Sequence, residues 1–503
     1  MRFLLFNLLV FLAGSLSVLS QAPLNIFFIL LITLPVLFYV LDQSLTENSF
    51  SYKFLKITYF GSIFLYGYFF FGLSWISSAF DYREGFEELK FISIFGLPLL
   101  LIFLTIPGWL VTAFFWGSRL QSCYAISLGL LVGEYCRSIL FTGFPWNLFG
   151  HSLAFDDRAM QITAIIGVQS AGFFVILFSL TPILFLKKDT IVSGLTTALI
   201  LPALIIYGSM RVPEEIKFSD KSFLLIQPNI EQDIKMSGDN ISLLVKKYIE
   251  LSSSRPDVDL IVWPESALPF SLGSNKPIRK FIMESIDGNS QLLTGSIRVD
   301  EKNLLKNSSL LINKDGEVVS FYDKIHLVPF GEYIPFQRLL NKYNFLDIVA
   351  SDDGFSRGLL DDPIATPIGT ARLLICYEII FSNEIIRSKP RPDVLINITN
   401  DAWFNDYSGP YQHFDNARFR AIENGLPILR AANTGISAVI DPYGRVLKKI
   451  DLKEEGVIFS NLPIRASETV FLKFGDFTLL ILFILCILRF RRDLLREYFY
   501  EAK

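Results

Sequence analysis

Seven apolar stretches that carry almost no charge occupy the first 210 residues of this chain. A helix that spans a membrane needs about 20 apolar residues, because the bilayer core has no water to hydrogen-bond the backbone. The pattern therefore predicts seven membrane-spanning helices, with an eighth after a long polar region. The predicted spans are Phe3–Leu19, Leu24–Leu41, Ile57–Phe80, Phe91–Trp116, Leu120–Leu140, Gln161–Leu186, Thr190–Met210 and about Thr469–Leu488.

The composition changes at about residue 213, where charged residues become frequent. Residues 213–467 alternate short β-rich runs with amphipathic helical stretches, which is typical of an α/β layered domain. We therefore expect a multi-domain protein in which an eight-helix transmembrane bundle carries an α/β domain. Its parts are seven membrane helices in 1–212, the α/β domain in 213–467, and the eighth helix with a basic tail in 468–503.

The basic residues predict the orientation of the helices, because short cytoplasmic loops are enriched in lysine and arginine. With the N-terminus in the cytoplasm, the inside loops and the C-terminal tail contain Lys53, Lys56, Arg119, Lys187, Lys188, Arg489, Arg491, Arg492 and Arg496. Seven crossings then place residues 213–467 outside the cytoplasm, which in a bacterium is the periplasm. The first stretch lacks a convincing small-residue cleavage site, so we interpret it as a retained helix.

Charge and cysteine usage exclude several classes of protein. The formal net charge is −3 and only the short C-terminal tail is rich in arginine, so nucleic acid is not expected as a partner. The 4 cysteines form no CxxC or Cys/His pattern, so we predict neither a metal site nor a disulfide framework. Because no glycine-rich phosphate loop or dinucleotide fingerprint occurs, we also expect no cofactor.

One ion pair is predicted within the membrane helices. Glu134 and Arg137 lie three residues apart in the fifth apolar stretch, so they share one face of its helix. Ionisable residues inside a membrane either pair within the bundle or mark a functional site. Two interpretations remain open, namely a structural ion pair and a binding site for a lipid headgroup.

Three places in the α/β region combine reactive side chains with distinctive local sequence. Glu265 and Cys376 stand at the ends of apolar runs, and Lys324 lies in a loop shaped by prolines and a glycine. A thiol nucleophile needs a base to remove its proton, and its tetrahedral intermediate needs positive charge at the oxygen. We predict Glu265 as the base, Lys324 as the cation and Cys376 as the nucleophile. A Cys376–His326 pair is an alternative that the sequence leaves open.

At these residues the chain resembles the nitrilase superfamily, in which a glutamate, a lysine and a cysteine occur in this order. Together with the membrane helices, the motifs are similar to those of the apolipoprotein N-acyltransferases, a membrane-embedded branch of that superfamily, over nearly the whole chain. The matching segments are FTGFPW (141–146), IQPNI (226–230), WPESALP (263–269), HLVPFGEYIP (326–335), ICYE (375–378), NDAWF (400–404), GPYQHF (409–414) and AANTGISAVIDPYGR (431–445). The resemblance implies a nitrilase-like αββα sandwich for residues 213–467.

The resemblance also implies roles for four further positions. Glu332 would be a second glutamate that holds Lys324 or positions the acyl carbonyl. Tyr377 and Glu378 would shape the site behind the nucleophile. Met236 stands where relatives carry a tryptophan. No aromatic contact is therefore expected from this position, although a methionine can still cover an acyl chain.

The implied reaction is a ping-pong transfer of a fatty acyl chain, the last step of bacterial lipoprotein maturation. Cys376 takes the chain from a phospholipid, expected to be phosphatidylethanolamine, and holds it as a thioester. The α-amino group of the N-terminal diacylglyceryl-cysteine of an apolipoprotein then accepts it. We expect a monomer in the bacterial inner membrane, with the catalytic domain facing the periplasm.

Three alternative functions differ in what they predict. A membrane-tethered nitrilase or amidase would transfer acyl groups to water and need no lipid-anchored amine. A non-catalytic lipoprotein-binding protein would keep its function when Cys376 is replaced by alanine. A transporter is disfavoured, because one pair of ionisable residues within the helices is too few to form a pathway for charged solutes.

Overall fold

The computed structural model describes residues 1–81, 87–237, 240–335, 354–359, 362–385 and 390–501, without the side chains of 87–88, 236–237 and 491–501. The side chain of Met236, from which no aromatic contact is expected, therefore lies outside the described residues. The chain divides into two compact units. The first comprises Met1–Ser77, Phe91–Val212 and Thr469–Lys503, and the second comprises Ser78–Lys90 and Pro213–Glu468.

Helices make up most of the chain before residue 213. They are α1 (Arg2–Ser17), α2 (Leu30–Ser44), α3 (Phe50–Leu73), α4 (Glu87–Phe91), α5 (Leu97–Phe114), α6 (Arg119–Ile139), α7 (Thr163–Ser179), α8 (Thr181–Leu184), α9 (Ile191–Ala198) and α10 (Ile200–Arg211). Two more helices, Val470–Phe474 and Phe477–Glu501, lie at the C-terminal end.

Within the described ranges, six helical segments are long and apolar enough to cross a membrane. They are Arg2–Ser20, Phe27–Ser44, Phe50–Phe80, Leu89–Phe114, Ala159–Leu184 and Lys188–Arg211. Two of the eight predicted spans are not among them. Helix α6, in the place of the fifth, is made more polar by residues such as Glu134 and Arg137. The last helix stands in the place of the eighth, and its apolar part, Phe477–Phe490, is shorter than the six. The count of eight therefore stays a prediction.

Helices α5 and α6 approach each other closely at small residues. A Cβ atom added to Gly108 would lie 2.1 Å from the Gly129 carbonyl oxygen, and one added to Gly129 would lie 1.8 Å from Thr112 Oγ1. Any larger side chain at these glycines would push the two helices apart. Close packing through small residues is a common source of helix association in membranes, because lipid provides little hydrophobic driving force between helices.

The predicted ion pair of α6 is buried and holds a segment that follows this helix. Arg137 lies 3.6 Å from the Glu134 carboxylate, and the two side chains are 1% and 6% exposed. Arg137 also donates to three carbonyl oxygens of the segment 144–147, at 2.7, 2.7 and 3.1 Å. Glu134 accepts the Phe149 N–H at 2.8 Å. These contacts favour the structural interpretation of the pair, because they tie both charges to the backbone of one chain segment.

We expect Arg137→Met to lower the thermal stability of the detergent-solubilised protein more than Arg137→Lys does. Methionine removes the cation beside Glu134 and one hydrogen-bond donor from each of three carbonyl groups. Breaking a buried ion pair costs about 3 to 5 kcal/mol. Lysine keeps a positive charge near Glu134. Unfolding midpoints of the parent and both variants check this, and equal midpoints for all three proteins would contradict a structural role.

Two six-stranded sheets form the core of the second unit, in the strand orders β12-β1-β2-β3-β4-β5 and β11-β10-β9-β8-β7-β6. The strands are β1 (Phe218–Gln227), β2 (Leu260–Val262), β3 (Gln291–Val299), β4 (Leu305–Ile312), β5 (Val318–Asp323), β6 (Ile364–Thr366), β7 (Gly369–Ile375), β8 (Val394–Thr399), β9 (Ile428–Ala432), β10 (Ser437–Ile440), β11 (Val446–Ile450) and β12 (Gly456–Pro463). The helices are α11 (Gln232–Ser237), α12 (Ile241–Ser252), α13 (Lys276–Ser285) and α14 (Ser408–Asn424).

Alternating side chains of β1 pack into two different clusters, as expected for a strand covered on both faces. Phe223 and Leu225 belong to a cluster that includes residues of the second sheet such as Ile396. Leu224 belongs to a cluster on the opposite face that includes Tyr248 of α12. The first sheet therefore lies between the second sheet on one side and helices on the other.

Several polar residues follow the carboxyl ends of parallel strands. Strand β2 pairs in parallel with β1 and β3, and β8 pairs in parallel with β7 and β9. Glu265 follows β2, Cys376 follows β7 and Asn400 follows β8. The carboxyl ends of parallel strands are the usual location of functional groups in α/β folds.

Candidate active site

Cys376 stands at a sharp turn directly after β7. Its backbone φ is +51°, in the left-handed region that residues other than glycine seldom adopt. The residue begins a 3₁₀ turn, Cys376–Ile380. The Glu378 carboxylate accepts the Ile375 N–H at 2.8 Å and thereby closes this turn. Backbone strain of this kind persists only where surrounding contacts hold it, and it is common at functional sites.

The structure brings the three predicted catalytic side chains together. Lys324 Nζ lies 3.5 Å from Glu265 Oε1 and 3.0 Å from Glu332 Oε1. The charges of Glu265 and Lys324 both act on the pKa of the Cys376 thiol. Lys324 is 1% exposed and Cys376 is 6% exposed, so the cluster is shielded from bulk water.

Burial and charge set the protonation states of this cluster. Burial raises the pKa of the Cys376 thiol, the Glu265 charge raises it further, and the Lys324 charge opposes both. The thiol is therefore protonated at neutral pH and needs a base before it can attack. Burial alone would lower the pKa of Lys324, but the carboxylates of Glu332 and Glu265 raise it well above its usual range. Lys324 therefore remains a cation, which can stabilise an oxyanion.

Two donors orient the Glu265 carboxylate. Asn307 Nδ2 donates to Oε1 at 2.8 Å, and the Asn400 backbone N–H donates to Oε2 at 3.0 Å. Asn307 Nδ2 also donates to Glu332 Oε1 at 2.7 Å, so one amide group joins the two carboxylates that flank Lys324. Sequence reasoning did not assign a role to Asn307, because an asparagine in a β-strand pattern carries no sign of its partners.

The predicted supporting residues lie around this cluster. Glu332 Oε2 accepts the Val328 N–H at 2.7 Å, which ties its own loop together. Glu378 Oε1 accepts from Tyr322 Oη and from the backbone N–H groups of residues 325 and 326, at 2.8, 2.8 and 3.1 Å. Tyr377, the residue that follows Cys376, is buried. Glu378 thus connects the turn of the cysteine to the loop of the lysine.

The contacts of His326 bear on the alternative Cys376–His326 pair. His326 Nδ1 lies 2.8 Å from Glu384 Oε2, and its ring stacks on Phe381 at a centroid distance of 3.7 Å. The ring is thus held by other partners, whereas Glu265 and Lys324 act electrostatically on the thiol. The geometry therefore favours Glu265 over His326 as the base.

A second buried lysine, Lys235 of α11, lies beside the same glutamate. Its Nζ donates to the Glu265 carbonyl oxygen at 3.3 Å, and the residue is 5% exposed. Burial lowers the pKa of Lys235 to about 8, while the Glu265 charge opposes this shift. Sequence reasoning missed Lys235, although it precedes Met236, a position that the family resemblance did single out.

Among the described residues, no group of three or more His, Cys, Asp or Glu side chains is arranged to bind a metal ion.

Comparison with known proteins identifies relatives of both parts of the chain. Residues 13–181 match the apolipoprotein N-acyltransferase N-terminal domain, and residues 225–469 match carbon-nitrogen hydrolase. An apolipoprotein N-acyltransferase of Rhodopseudomonas palustris is 35% identical over 495 residues, which cover 92% of this chain and 91% of the relative. One of Bradyrhizobium diazoefficiens is 35% identical over 499 residues, with 95% and 93% covered. The crystal structure of Saccharomyces cerevisiae Nit3, from branch 10 of the nitrilase superfamily, is 19% identical with a TM-score of 0.36 and covers 48% of this chain and 90% of that chain.

We expect Asn307→Asp to lower the kcat of acyl transfer about 10²-fold at neutral pH, a loss typical of misplaced catalytic groups. The change replaces a shared N–H donor with a third carboxylate between Glu265 and Glu332. The ratio of this activity to that of the parent at the same pH should rise as the pH is lowered, because a protonated aspartic acid can donate one hydrogen bond again. Ser309→Ala is the matched control on the same strand, since the buried Ser309 hydroxyl has no hydrogen-bond partner within the described ranges. A kcat for Asn307→Asp equal to that of Ser309→Ala would contradict the expected role of Asn307.

Lys235→Met should raise the thermal stability, and the gain should depend on pH. The pKa of Lys235 is about 8 in the folded protein. A lysine in an unfolded chain titrates near about 10.4, so the unfolded state binds more protons between these values. The cost of burying the ammonium is complete below pH 8 and disappears as the pH approaches the unfolded value. The increase in Tm should shrink over the same range, whereas the exposed Lys246→Met should change little. A gain that does not vary with pH would disprove this explanation.

Proposed function

Because the chain belongs to the apolipoprotein N-acyltransferase family, we propose that Cys376, Glu265 and Lys324 carry out its reaction through a thioester. The chain is an acyltransferase that N-acylates apolipoproteins, and it is a bacterial membrane protein. The observation that most supports the proposed roles is the buried contact of 3.5 Å between Lys324 and Glu265, whose charges both act on the pKa of the Cys376 thiol.

In the first half-reaction, the Glu265 carboxylate accepts the thiol proton while Cys376 Sγ attacks an ester carbonyl of a phospholipid. The new carbon–sulfur bond creates an oxyanion, which the Lys324 ammonium stabilises. The intermediate then expels the glycerol oxygen of the lysophospholipid, and this oxygen takes the proton from Glu265. The fatty chain remains on Cys376 as a thioester. We propose phosphatidylethanolamine as the donor.

In the second half-reaction, the neutral α-amino group of an apolipoprotein's diacylglyceryl-cysteine attacks the thioester carbonyl. Glu265 accepts a proton from the attacking nitrogen, and Lys324 again stabilises the oxyanion. Collapse of the intermediate forms the amide and releases the Cys376 sulfur, which regains its proton from Glu265. Each group is then back in its resting state, as a ping-pong reaction requires.

The supporting residues keep these groups in position. Glu332 bonds Lys324 at 3.0 Å, which fixes the ammonium and keeps it charged. Glu378 holds the turn that begins at Cys376 and the segment 322–326 at the same time. Burial of the cluster also protects the thioester from water, which would otherwise waste the acyl chain by hydrolysis.

We propose a placement in the inner membrane, with an orientation that follows the distribution of basic residues. We propose seven helices before residue 213, an eighth after residue 467, and both termini in the cytoplasm. The catalytic domain, residues 213–467, would then face the periplasm, on the side where lipoproteins are anchored. One copy of the chain contributes every proposed site residue, so we propose that a monomer suffices.

Intact-protein mass spectrometry after incubation with phosphatidylethanolamine tests the thioester. We expect one fatty acyl adduct on the parent protein and none on Cys376→Ala. The adduct should disappear when a peptide with an N-terminal diacylglyceryl-cysteine is added, with the acyl group recovered on the peptide. Cys136→Ala, which replaces another free and partly buried thiol, serves as the matched control and should still form the adduct.

Two outcomes would contradict the proposed function. An adduct that persists in Cys376→Ala would show that another residue is the nucleophile. An adduct that disappears in water as fast as with the peptide would instead indicate the hydrolytic alternative, a membrane-tethered amidase.

His326→Gln should retain adduct formation within about tenfold of the parent, because the proposed base is Glu265.

A further inference from the structure

A buried histidine contacts the backbone of the proposed nucleophile. His413 of α14 is fully buried, and its Nε2 lies 3.1 Å from the Cys376 carbonyl oxygen. A carbonyl oxygen can only accept a hydrogen bond, so Nε2 carries the proton and donates it. The other ring nitrogen, Nδ1, lies 2.9 Å from Asp401 Oδ1. The ring is therefore held at both nitrogens.

The partners of Asp401 are as deeply buried as the histidine. Thr399 Oγ1 donates to Asp401 Oδ1 at 2.7 Å, and Arg430 Nη2 donates to Oδ2 at 2.6 Å. Arg430 Nη2 also lies 3.2 Å from His413 Nδ1, and Arg430 Nη1 donates to Asn397 Oδ1. These groups lie on or directly after β8 and β9, two paired strands of the second sheet. The ring is thus anchored to rigid parts of the sheet.

The hydrogen bond acts where the chain is strained. Cys376 has a φ of +51°, a conformation that a side chain with a Cβ atom adopts only when surrounding contacts stabilise it. Fixing the carbonyl oxygen of a residue fixes the plane of the following peptide. This limits ψ of Cys376 and so the direction of its Cα–Cβ bond. The position of Sγ relative to Glu265 and Lys324 therefore depends on the carbonyl that His413 holds.

We propose that His413 is a positioning residue, which aims the Cys376 sulfur by hydrogen-bonding the carbonyl of the same residue. This inference rests on the proposed role of Cys376 as the nucleophile. The hydrogen bond from the ring to Cys376 goes to the backbone carbonyl, so we assign His413 no part in proton transfer. Its contribution is geometric, and a misplacement of about 1 Å at a reacting atom can cost about 10²-fold in rate.

Two substitutions of His413 distinguish the contact made by Nε2 from the contact made by Nδ1. In His413→Gln, the side-chain NH₂ can reach the position of Nε2 and donate to the Cys376 carbonyl, but the contact with Asp401 is lost. In His413→Asn, the shorter side chain can keep a polar contact at the position of Nδ1, but it cannot reach Cys376. Both variants are polar, uncharged and without a ring, so each is the matched control of the other.

The rate of acyl-adduct formation at saturating phosphatidylethanolamine is the first readout. We expect His413→Gln to stay within about tenfold of the parent and His413→Asn to lose about 10²-fold. The phospholipid concentration for half-maximal rate should be unchanged in both, because His413 does not contact the substrate. Alkylation of Cys376 by iodoacetamide, followed by peptide mass spectrometry, should not follow this order, because a small reagent needs no aimed sulfur. Thermal unfolding midpoints show whether both variants are folded.

The rank order of the variants decides the question. If His413→Asn is the more active of the two, the contact with Asp401 matters and the proposal is wrong. Equal rates in both variants, whether high or low, also overturn it. Failure of the proposed function looks different, because Cys376→Ala would then still form the adduct.

A measurement on the parent protein needs no folded variant. The chain contains 4 cysteines and 3 histidines, so labelling with carbonyl-¹³C cysteine and ring-¹⁵N histidine gives few signals. We expect solid-state magnetic resonance to detect dipolar coupling between the Cys376 carbonyl carbon and a protonated ring nitrogen, and to lose it in His413→Asn. Absence of this coupling in the parent would overturn the proposal.

Discussion

The buried ammonium group of Lys324 is the constraint on which the arrangement of the proposed site depends. An ammonium that is 1% exposed is costly to bury unless carboxylates and hydrogen bonds surround it. Glu265 and Glu332 supply the negative charge, and Asn307 joins these two carboxylates. The loop that follows β2 carries Glu265, and the loop that follows β5 carries Lys324. These loops must therefore converge, because the buried ammonium of Lys324 needs the carboxylate of Glu265.

The same arrangement explains how a thiol with a raised pKa can serve as a nucleophile. Burial favours the protonated thiol of Cys376 at rest, so in the proposed reaction the thiolate forms only when Glu265 removes the proton. The proposed oxyanion would then form within reach of Lys324, a cation that needs no reorganisation, which is the condition for strong electrostatic stabilisation. Rigid strand ends carry Glu265 and Cys376, and such supports hold reacting groups more accurately than free loops do.

In the helical unit, a buried ion pair holds one segment of the backbone. Arg137 and Glu134 are committed to the backbone of residues 144–149, and the close contact between Gly108 and Gly129 replaces side-chain packing. Composition predicted eight spans, but six meet the length and hydropathy of a membrane helix within the described residues. Helix α6 falls outside the six because it carries the ion pair, so a structural requirement obscures the simple apolar pattern.

The sequence by itself determined the family and the acyltransferase activity, which relatives at 35% identity confirm. Motif order and apolar spacing are properties of the linear chain, so Glu265, Lys324 and Cys376 could be proposed before any contact was known. Only the tertiary structure decided which groups surround them. The proposed roles of Asn307 and His413 rest on hydrogen bonds between segments far apart in sequence. The partner of an asparagine or a histidine depends on how the strands of two sheets are placed.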